Sequence, residues 1–513
     1  MVVVVSAPPR TGRYNRKNPR PSEAMHSPDG THYRCAWIED SITVHSDGNV
    51  SCGLDDPHGQ RSFGNINTQS VAEIFANPEY RALQERLWRG RRCNDCGHFR
   101  AETAPDARIA ARPALPSRLV IETTVTCNIR CPNLPCLANN DAQETTRDGD
   151  FLAPGAFNAL IDQVAPGLRT VNFYNYGEPF MNRRAEDMLL YLREKCPAAF
   201  IVTSTNGIPL SKRSRAEQLV RAAPNRITFT IGGVRQESYE RYHVRGQVAQ
   251  ALAGLRNVCE AKRAMGQTMP QVVWRYLCFH WNDTHGEIDE AIALAKEIGV
   301  DRFSLYLTNT PPRARSVRLS PGSPSFWKYS RYIHLDDEGE LNHAYPCALP
   351  DQDGWFAPGS LPTLGRGRWT SSRARLRVAG RGGVLRLALG TNRSHSDGET
   401  CVVHTPWKQF RFEAPRLAWN EVEIPVPARF WQHDAFEVEI VADDPWYPAF
   451  EGSIKDLRCL GVFVRCDDTV AEPENCKLLP YMRDPMLRRY GAAEDADTNF
   501  LHVLPQVREG VGA

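Results

Sequence analysis

Between residues 118 and 310 the chain alternates short apolar runs with longer segments of helical periodicity. The apolar runs predict strands, and the segments between them carry apolar residues at three- and four-residue spacing, which predicts amphipathic helices. Because strands and helices alternate, we expect one parallel sheet covered by helices, curved into a partial barrel. The predicted strands are 119–122, 171–174, 200–204, 226–231, 272–279 and 303–307, and the predicted helices are 157–164, 185–195, 216–222, 248–265 and 287–298.

The pattern changes after residue 310. A stretch rich in Pro, Gly and Ser (311–364) is followed by short segments in which apolar and polar residues alternate. A period of two predicts strands with one buried face, and a series of them predicts an antiparallel β-sandwich over residues 365–470. Aromatic residues in this region, Trp369 and Trp446 among them, suit either core packing or stacking on sugar rings. The alternating segments are 375–378, 384–389, 421–424, 436–441 and 460–464.

Composition marks the remaining boundaries. The first residues are rich in Arg, Pro and Asn, which is typical of a flexible basic arm. A cysteine-bearing segment and a linker rich in Ala, Pro and Arg follow, and the final segment has no clear pattern. The predicted division is 1–32 for the arm, 33–100 for the cysteine-bearing domain, 101–116 for the linker, 117–310 for the barrel, 311–364 for connecting loops, 365–470 for the sandwich and 471–513 for the tail.

Length and charge limit the function classes. A chain of 513 residues is expected to form two or three domains. With 42% hydrophobic and 24% charged residues and a net charge of +2, it is not a disordered chain, and nothing in its charge favours a nucleic-acid partner. The apolar run at residues 1–5 is too short for a secretory signal or a membrane span. We therefore expect a cytoplasmic protein with reduced thiols, in which clustered cysteines indicate metal or catalytic sites.

Three cysteines stand directly after the first predicted strand of the barrel. Cys127, Cys131 and Cys136 fall within ten residues of one another. Thiolates at such spacing, on a loop that leaves a parallel strand, can converge on one metal centre. Three sulfur ligands suit an iron–sulfur cluster with one open iron, whereas a structural zinc would need a fourth ligand nearby.

This loop resembles that of the radical S-adenosylmethionine (SAM) enzymes, which carry Cys-x3-Cys-x2-Cys after the first strand of a partial (β/α)6 barrel. Here the second gap has four residues, and Pro135 stands where that family has an aromatic residue. The resemblance covers about residues 115–310. It implies that Cys127, Cys131 and Cys136 hold a SAM-binding 4Fe–4S cluster.

Later strand ends carry further features of this family. Gly177 and Glu178 lie in a Gly-Glu-Pro sequence like the one that holds the methionine amino group of SAM. Ser204 and Asn206 end the next strand, where the family contacts the ribose. Arg245 resembles the arginine that meets the SAM carboxylate. Each motif is weak alone, but their order along successive strands strengthens the prediction.

A second cysteine group precedes the barrel. Cys35, Cys52, Cys93 and Cys96 end in a Cys-x2-Cys sequence, and four thiols can hold either zinc or a 4Fe–4S cluster. Trp37, an Asp-Gly before the second cysteine and a later Gly-Asn-Ile make the segment similar to the SPASM domain, which carries auxiliary clusters and normally follows the barrel. This resemblance favours iron–sulfur over zinc. The chain is thus expected to bind two 4Fe–4S clusters and SAM.

The resemblance implies an enzyme in which an external one-electron donor, such as a flavodoxin or ferredoxin, reduces the cluster and a 5′-deoxyadenosyl radical abstracts hydrogen from an unactivated carbon. The C-terminal region resembles sandwiches of bacterial carbohydrate-processing proteins. The first hypothesis is therefore a sugar or oligosaccharide epimerase of the kind found in orthosomycin antibiotic biosynthesis, with Cys347 or Cys278 as hydrogen donor. A peptide-modifying SPASM enzyme, a sugar dehydrogenase and a non-catalytic zinc scaffold are the alternatives.

Overall fold

The computed structural model describes the chain between residues 32 and 478, with gaps. The described residues are 32–52, 62–88, 100–102, 114–132, 147–308, 314–335, 349–380, 383–394, 396–430, 435–448, 456–465 and 476–478. Within these ranges no helix is both long and apolar enough to cross a membrane.

Six parallel strands make up one side of the largest sheet, from one edge inward, and lie side by side in chain order. All six strands predicted from the apolar runs are present, and helices connect them, which confirms the mixed α/β content. The strands are β6 (Arg118–Ile121), β7 (Thr170–Asn172), β8 (Phe200–Thr205), β9 (Arg226–Thr230), β10 (Gln271–Cys278) and β11 (Arg302–Leu307). The helices among them are α4 (Pro154–Val164), α5 (Ala185–Lys195), α6 (Arg213–Ala222), α7 (Gln236–Glu240), α8 (Val248–Ala264) and α9 (His285–Ile298).

The two faces of these strands differ in character. Alternate residues of β10, including Trp274 and Tyr276, are fully buried in one large hydrophobic core that also contains Leu255 and Val258 of α8. The residues between them, such as Arg275, point to the opposite, inner face. The helices therefore cover the outer face, and the inner face carries both polar side chains such as Arg275 and a small apolar cluster that includes Leu277.

The N-terminal segment extends the same sheet. β2 pairs in parallel with β6, and β3 and β4 continue the sheet in antiparallel pairs. A strand such as β6 leaves backbone donors and acceptors open along its second edge, and β2 satisfies them. The predicted boundary at residue 100 also shifts, because β5 pairs with β1. The elements are β1 (His32–Arg34), α1 (Ala36–Glu39), β2 (Ser41–Val44), β3 (Asn49–Ser51), β4 (Gly64–Asn65), α2 (Val71–Phe75), α3 (Pro78–Trp88) and β5 (Arg100–Glu102).

The C-terminal part contains two five-stranded antiparallel sheets, ordered β12-β13-β20-β15-β18 and β17-β16-β19-β14-β21. Leu387 and Ile424 of the first sheet share a hydrophobic core with Val403 and Ile440 of the second, so the alternating pattern buries one face of each. The elements are α10 (Pro324–Lys328), β12 (Gly359–Leu361), β13 (Gly365–Trp369), β14 (Arg373–Gly380), β15 (Gly383–Gly390), β16 (Gly398–His404), β17 (Gln409–Pro415), β18 (Asn420–Val426), β19 (Phe436–Ala442), β20 (Phe463–Arg465) and β21 (Cys476–Leu478).

Two boundaries of this part differ from the predicted ones. β12 lies inside the segment predicted as connecting loops, and β21 lies inside the predicted tail, where it pairs with β14. Both strands are only three residues long and sit at the ends of their sheets. Three residues are too few to show a period of two, so the sequence pattern could not reveal them.

The contact between α8 and the end of β8 leads to a prediction. A Cβ atom on Gly254 would lie 2.0 Å from the carbonyl oxygen of Gly207, which follows Asn206. Gly254→Ala is therefore expected to destabilise the protein by about 1–3 kcal/mol through overpacking. Chemical denaturation measures the change. Gln250→Ala, at an exposed position of the same helix, should stay within about 0.5 kcal/mol, and an equal loss in both variants would contradict the close approach.

Candidate functional site

The loop after β6 carries the first two cysteines of the predicted cluster site. Cys127 and Cys131 are half-buried there, and Cys136 lies outside the described residues. Backbone pairing holds the loop, because the Arg130 N–H donates to the Val244 carbonyl over 2.8 Å. The Cys131 side chain also packs on a small apolar cluster made of Tyr242, Leu277, Phe279 and Ala314. Two of the three predicted thiols thus stand on one docked loop.

Glu178 is the most constrained of the predicted SAM contacts. Its carboxylate is 3% exposed and accepts three hydrogen bonds, from the Asn206 N–H at 2.7 Å, the Thr205 hydroxyl at 2.8 Å and the Phe180 N–H at 3.3 Å. Burial raises the pKa of Glu178 to about 7, although these donors act in the opposite direction. The carboxylate therefore joins the end of β7 to the end of β8.

Gly177 allows this segment to lie against the cysteine loop. Its backbone is left-handed, with φ of +76°, and a Cβ atom would lie 2.3 Å from the carbonyl oxygen of Thr124. Next to it, the Glu178 N–H donates to the Thr126 carbonyl over 2.9 Å. Only glycine combines this φ with so close an approach.

The predicted ribose contacts lie on β8 and just after it. The Asn206 side-chain amide donates to Asn128 Oδ1 over 2.8 Å and lies 3.9 Å from Cys127 Sγ. It therefore belongs with the cysteine loop. The Ser204 hydroxyl is half-buried and donates to the Thr228 carbonyl over 3.3 Å. The structure brings Asn206 to the cysteines and leaves Ser204 bonded to the neighbouring strand.

Arg245 is placed beside the loop by its neighbour. Val244 forms the bridge with Arg130 of the cysteine loop, so Arg245 follows directly. It is exposed and has a left-handed φ of 67°, which is uncommon for a residue with a side chain. The position suits a ligand contact at the rim of the site.

Of the two predicted hydrogen donors, the structure describes only Cys278. Cys278 is fully buried in the core between the sheet and its helices, where its thiol donates to the Tyr276 carbonyl. Burial raises the pKa of this thiol far above its usual range. Its side chain lies with the core residues on the outer face of β10 rather than on the inner face. Cys347 lies outside the described residues.

His243 was missed by sequence reasoning and contacts Cys131 directly. Its ring is buried, with Nδ1 3.7 Å from Cys131 Sγ. The Gly232 N–H donates to Nε2 over 3.2 Å. Burial lowers the pKa of His243 to about 3, so the ring is neutral. Because Nε2 accepts, the single ring proton is on Nδ1 and points to the sulfur.

Tyr239 completes this side of the site. Its ring stacks on His243 with centroids 4.5 Å apart. Its hydroxyl is buried and has no hydrogen-bond partner among the described residues. Burial raises its pKa, and Cys131, Glu178 and Cys127 raise it further, so all three lie near this hydroxyl. An unpartnered donor between two thiols and a carboxylate fits a site that receives a cluster and a polar cofactor.

Of the second cysteine group, only Cys35 and Cys52 are described. Burial raises the pKa of the buried Tyr80, and both thiols raise it further. Cys93 and Cys96 lie outside the described residues. Within the described ranges no three His, Cys, Asp or Glu side chains converge as a metal site, and the predicted ligand sets therefore remain predictions.

Glu122, at the carboxyl end of β6, joins the cysteine loop to the N-terminal segment. Its fully buried carboxylate accepts from Arg147 at 2.7 and 3.1 Å, from the Ser46 N–H at 3.2 Å and from Asn175 at 3.0 Å. His45 lies 3.7 Å away. Burial alone would raise the pKa of Glu122, but His45 and Arg147 lower it to about 2. The carboxylate is therefore charged and paired at neutral pH.

This network predicts the effect of losing Arg147, which is 2% exposed. Arg147→Met leaves Glu122 charged and buried without its cation and should cost about 3–5 kcal/mol. Since the pKa of Glu122 is lowered, its contribution is complete above pH 4.5 and is lost as the pH falls toward 2. In the variant the pKa of Glu122 should rise, so this acid loss should be smaller and should end at a higher pH. Arg386→Met, which breaks the exposed pair with Glu423, should cost less than about 1 kcal/mol, and similar losses at neutral pH would refute the buried pair.

Comparison with known proteins agrees with the cysteine pattern. Residues 35–97 match the SPASM family, described as an iron–sulfur cluster-binding domain. The chain is 28% identical over 145 residues to the Fe-coproporphyrin III synthase of Methanosarcina barkeri, covering 28% of this chain and 34% of that protein. It is 24% identical over 217 residues to the GTP 3′,8-cyclase of Pelotomaculum thermopropionicum, covering 42% of this chain and 59% of that protein.

Solved structures show a weaker likeness. The radical S-adenosylmethionine methyltransferase TsrM from Kitasatospora setae aligns over 47% of this chain and 50% of its own, with 14% identity and a TM-score of 0.29. Such a score is too low to support an argument about function. The chain also spans less than two thirds of the curated relatives, so their activities are not transferred with the match. The domain match and the curated relatives support the radical SAM superfamily with a SPASM domain.

Proposed function

We propose that this protein is a radical SAM enzyme whose cluster and SAM lie at the carboxyl end of a partial (β/α)6 barrel. The observation that carries the proposal is the junction of Cys127, Asn206 and Glu178: the Asn206 side chain contacts the cysteine loop, and its backbone N–H donates to the Glu178 carboxylate. A thiol ligand and a carboxylate suited to an ammonium group thus meet at adjacent strand ends. This is the arrangement that joint binding of a cluster and SAM requires.

Different residues of the chain would hold the cluster and bind SAM. Cys127, Cys131 and Cys136 would hold the cluster, and Glu178 and Arg245 would bind the amino and carboxylate groups of SAM. When bound, the cluster and SAM supply the one-electron chemistry that allows hydrogen to be removed from an unactivated carbon. The apolar side chains packed at Cys131 exclude water from the reacting atoms. An external one-electron donor would be needed for each reduction.

For the substrate we propose a sugar carbinol centre that is inverted, with Cys347 returning hydrogen to the opposite face. The packing of Cys278 in the outer core favours Cys347 over it. The antiparallel sheets give little direct support for sugar binding, because Trp369 and Trp446 are both buried and pack on each other. We propose that these sheets form a β-sandwich with a structural role.

Two alternatives stay in view. A peptide-modifying enzyme is favoured by the SPASM match alone, since such modules are frequent in that group. A sugar dehydrogenase would pass an electron to an auxiliary cluster held by Cys35, Cys52, Cys93 and Cys96 in place of hydrogen return. The mass of the product separates epimerisation from dehydrogenation. Epimerisation in deuterated water adds one deuterium, and dehydrogenation removes two hydrogens.

The cluster assignment predicts a specific loss. Cys127→Ala, prepared anaerobically, is expected to lose about four irons per chain and to release no 5′-deoxyadenosine from SAM with dithionite. Cys259→Ala, at a buried thiol of α8 in the outer core, is the matched control and should keep both. Iron and sulfide analysis and chromatography of the nucleoside measure the result. A wild-type protein that binds zinc and no iron would refute the proposal.

The hydrogen bond from His243 predicts a change in potential. A donor to a thiolate ligand stabilises the more negative, reduced cluster. His243→Leu should therefore lower the midpoint potential of the cluster by about 59 mV. For a one-electron reduction, this is roughly a tenfold decrease in the equilibrium constant for reduction. His243→Asn keeps an N–H near the position of Nδ1 and should stay closer to wild type. Redox titration followed by electron paramagnetic resonance measures both, and equal potentials in all three proteins would exclude the bond.

A further inference from the structure

A row of donors crosses the inner face of three neighbouring strands. Thr230 of β9, Arg275 of β10 and Ser304 of β11 are registered partners in the parallel sheet. Partners in register project from the same face. For β10 that face is opposite to Trp274 and Tyr276, which are buried against the helices.

Arg275 lies over an aromatic ring and, within the described ranges, faces no carboxylate. Its guanidinium carbon lies 4.9 Å from the ring centroid of Tyr306, a cation–π arrangement that also fixes the plane of the group. Among the residues that the structure describes, no carboxylate lies within ion-pair distance of it. A half-buried guanidinium in such a place is not neutralised by the described part of the chain.

Ser304 supplies a second, independent observation. It is 2% exposed, and its hydroxyl has no hydrogen-bond partner among the described residues. Buried hydroxyls nearly always bond to protein or water, so an orphaned one beside an arginine indicates that a ligand oxygen belongs there.

His334 lies near this row and is influenced by several arginines. Its ring packs on Tyr306 in a tilted arrangement, with ring centroids 5.2 Å apart. Burial lowers the pKa of His334 to about 3, and Arg275, Arg302 and Arg226 lower it further. Three guanidinium groups therefore act on this region, and a neutral imidazole adds no charge of its own.

The row also lies close to the cysteine loop. On the same face, the next registered pair along β10 and β11 is Leu277 with Tyr306. Leu277 belongs to the small apolar cluster, and both Tyr306 and Cys131 pack against that cluster. Burial raises the pKa of Tyr306, Arg275 lowers it, and Tyr174, after β7, raises it further.

We propose that Arg275 and Ser304 bind an anionic group, a carboxylate or a phosphate, of the substrate. This inference rests on the proposed function and narrows its substrate class to acidic or phosphorylated carbohydrate. The guanidinium offers two parallel N–H donors to two anionic oxygens, and the serine hydroxyl offers a third bond. The apolar cluster that contains Leu277 then separates this anion-binding pair from the substrate carbon that would react near Cys131.

The test uses the reconstituted holoprotein saturated with SAM, with inorganic phosphate or acetate exchanged for chloride at constant ionic strength. The wild-type thermal midpoint should rise saturably with one of the two anions, while glucose has no effect. A larger rise with phosphate would indicate that the substrate carries a phosphoester at this site. A larger rise with acetate would indicate a substrate carboxylate. Arg275→Met should weaken the anion's apparent affinity at least tenfold, Arg275→Lys should weaken it less, and Ser304→Ala should weaken it severalfold.

Controls separate this inference from the proposed function. Arg256→Met, at an exposed arginine of α8 paired with Glu297, should bind the anion like wild type. An equal response in wild type and Arg275→Met would overturn the proposal, as would the absence of any anion response. Loss of SAM binding in Arg275→Met would reassign the arginine to the SAM carboxylate. The proposed function itself is tested separately: it fails if the wild-type protein does not cleave SAM.

Discussion

The buried carboxylate of Glu178 is the constraint on which the rest of the site depends. Removal from water makes its charge costly, and only neutral donors from Thr205, Asn206 and Phe180 bond to it, so its pKa rises to about 7. Those bonds in turn fix where β7 and β8 end relative to each other. Since Asn206 also reaches the cysteine loop, one carboxylate sets the geometry of three segments that are distant in sequence.

Glu122 shows how strongly partners decide the state of the same side chain. Burial raises its pKa as it does for Glu178, but the interactions with His45 and Arg147 lower it to about 2. The two carboxylates lie at the ends of β6 and β7 and hold the cysteine loop from two sides. One joins the loop to β8, and the other joins it to the N-terminal segment. The loop that carries Cys127 and Cys131 is thereby preorganised by the protein.

The N-terminal segment thus belongs to the same sheet as the six parallel strands. β2 adds a strand beside β6, and Ser46 donates to Glu122 from the turn that follows. A SPASM-like module placed before the six parallel strands gains a sheet edge at which to dock. This placement brings Cys35 and Cys52 into the same structural unit as the cysteine loop.

The sequence by itself determined the strands and helices around the six parallel strands, because each strand must bury one apolar face and each helix one apolar stripe. It also predicted Cys127, Cys131, Gly177, Glu178 and Asn206 as site residues, because their spacing after strands is local information. Only the tertiary structure decided which face each side chain occupies. Cys278 proved to face the helices, and Arg275 faces inward, since that choice depends on register and sheet curvature. His243, Tyr239 and Arg147 carry no local signal, because they act through contacts that form only when distant segments of the chain meet.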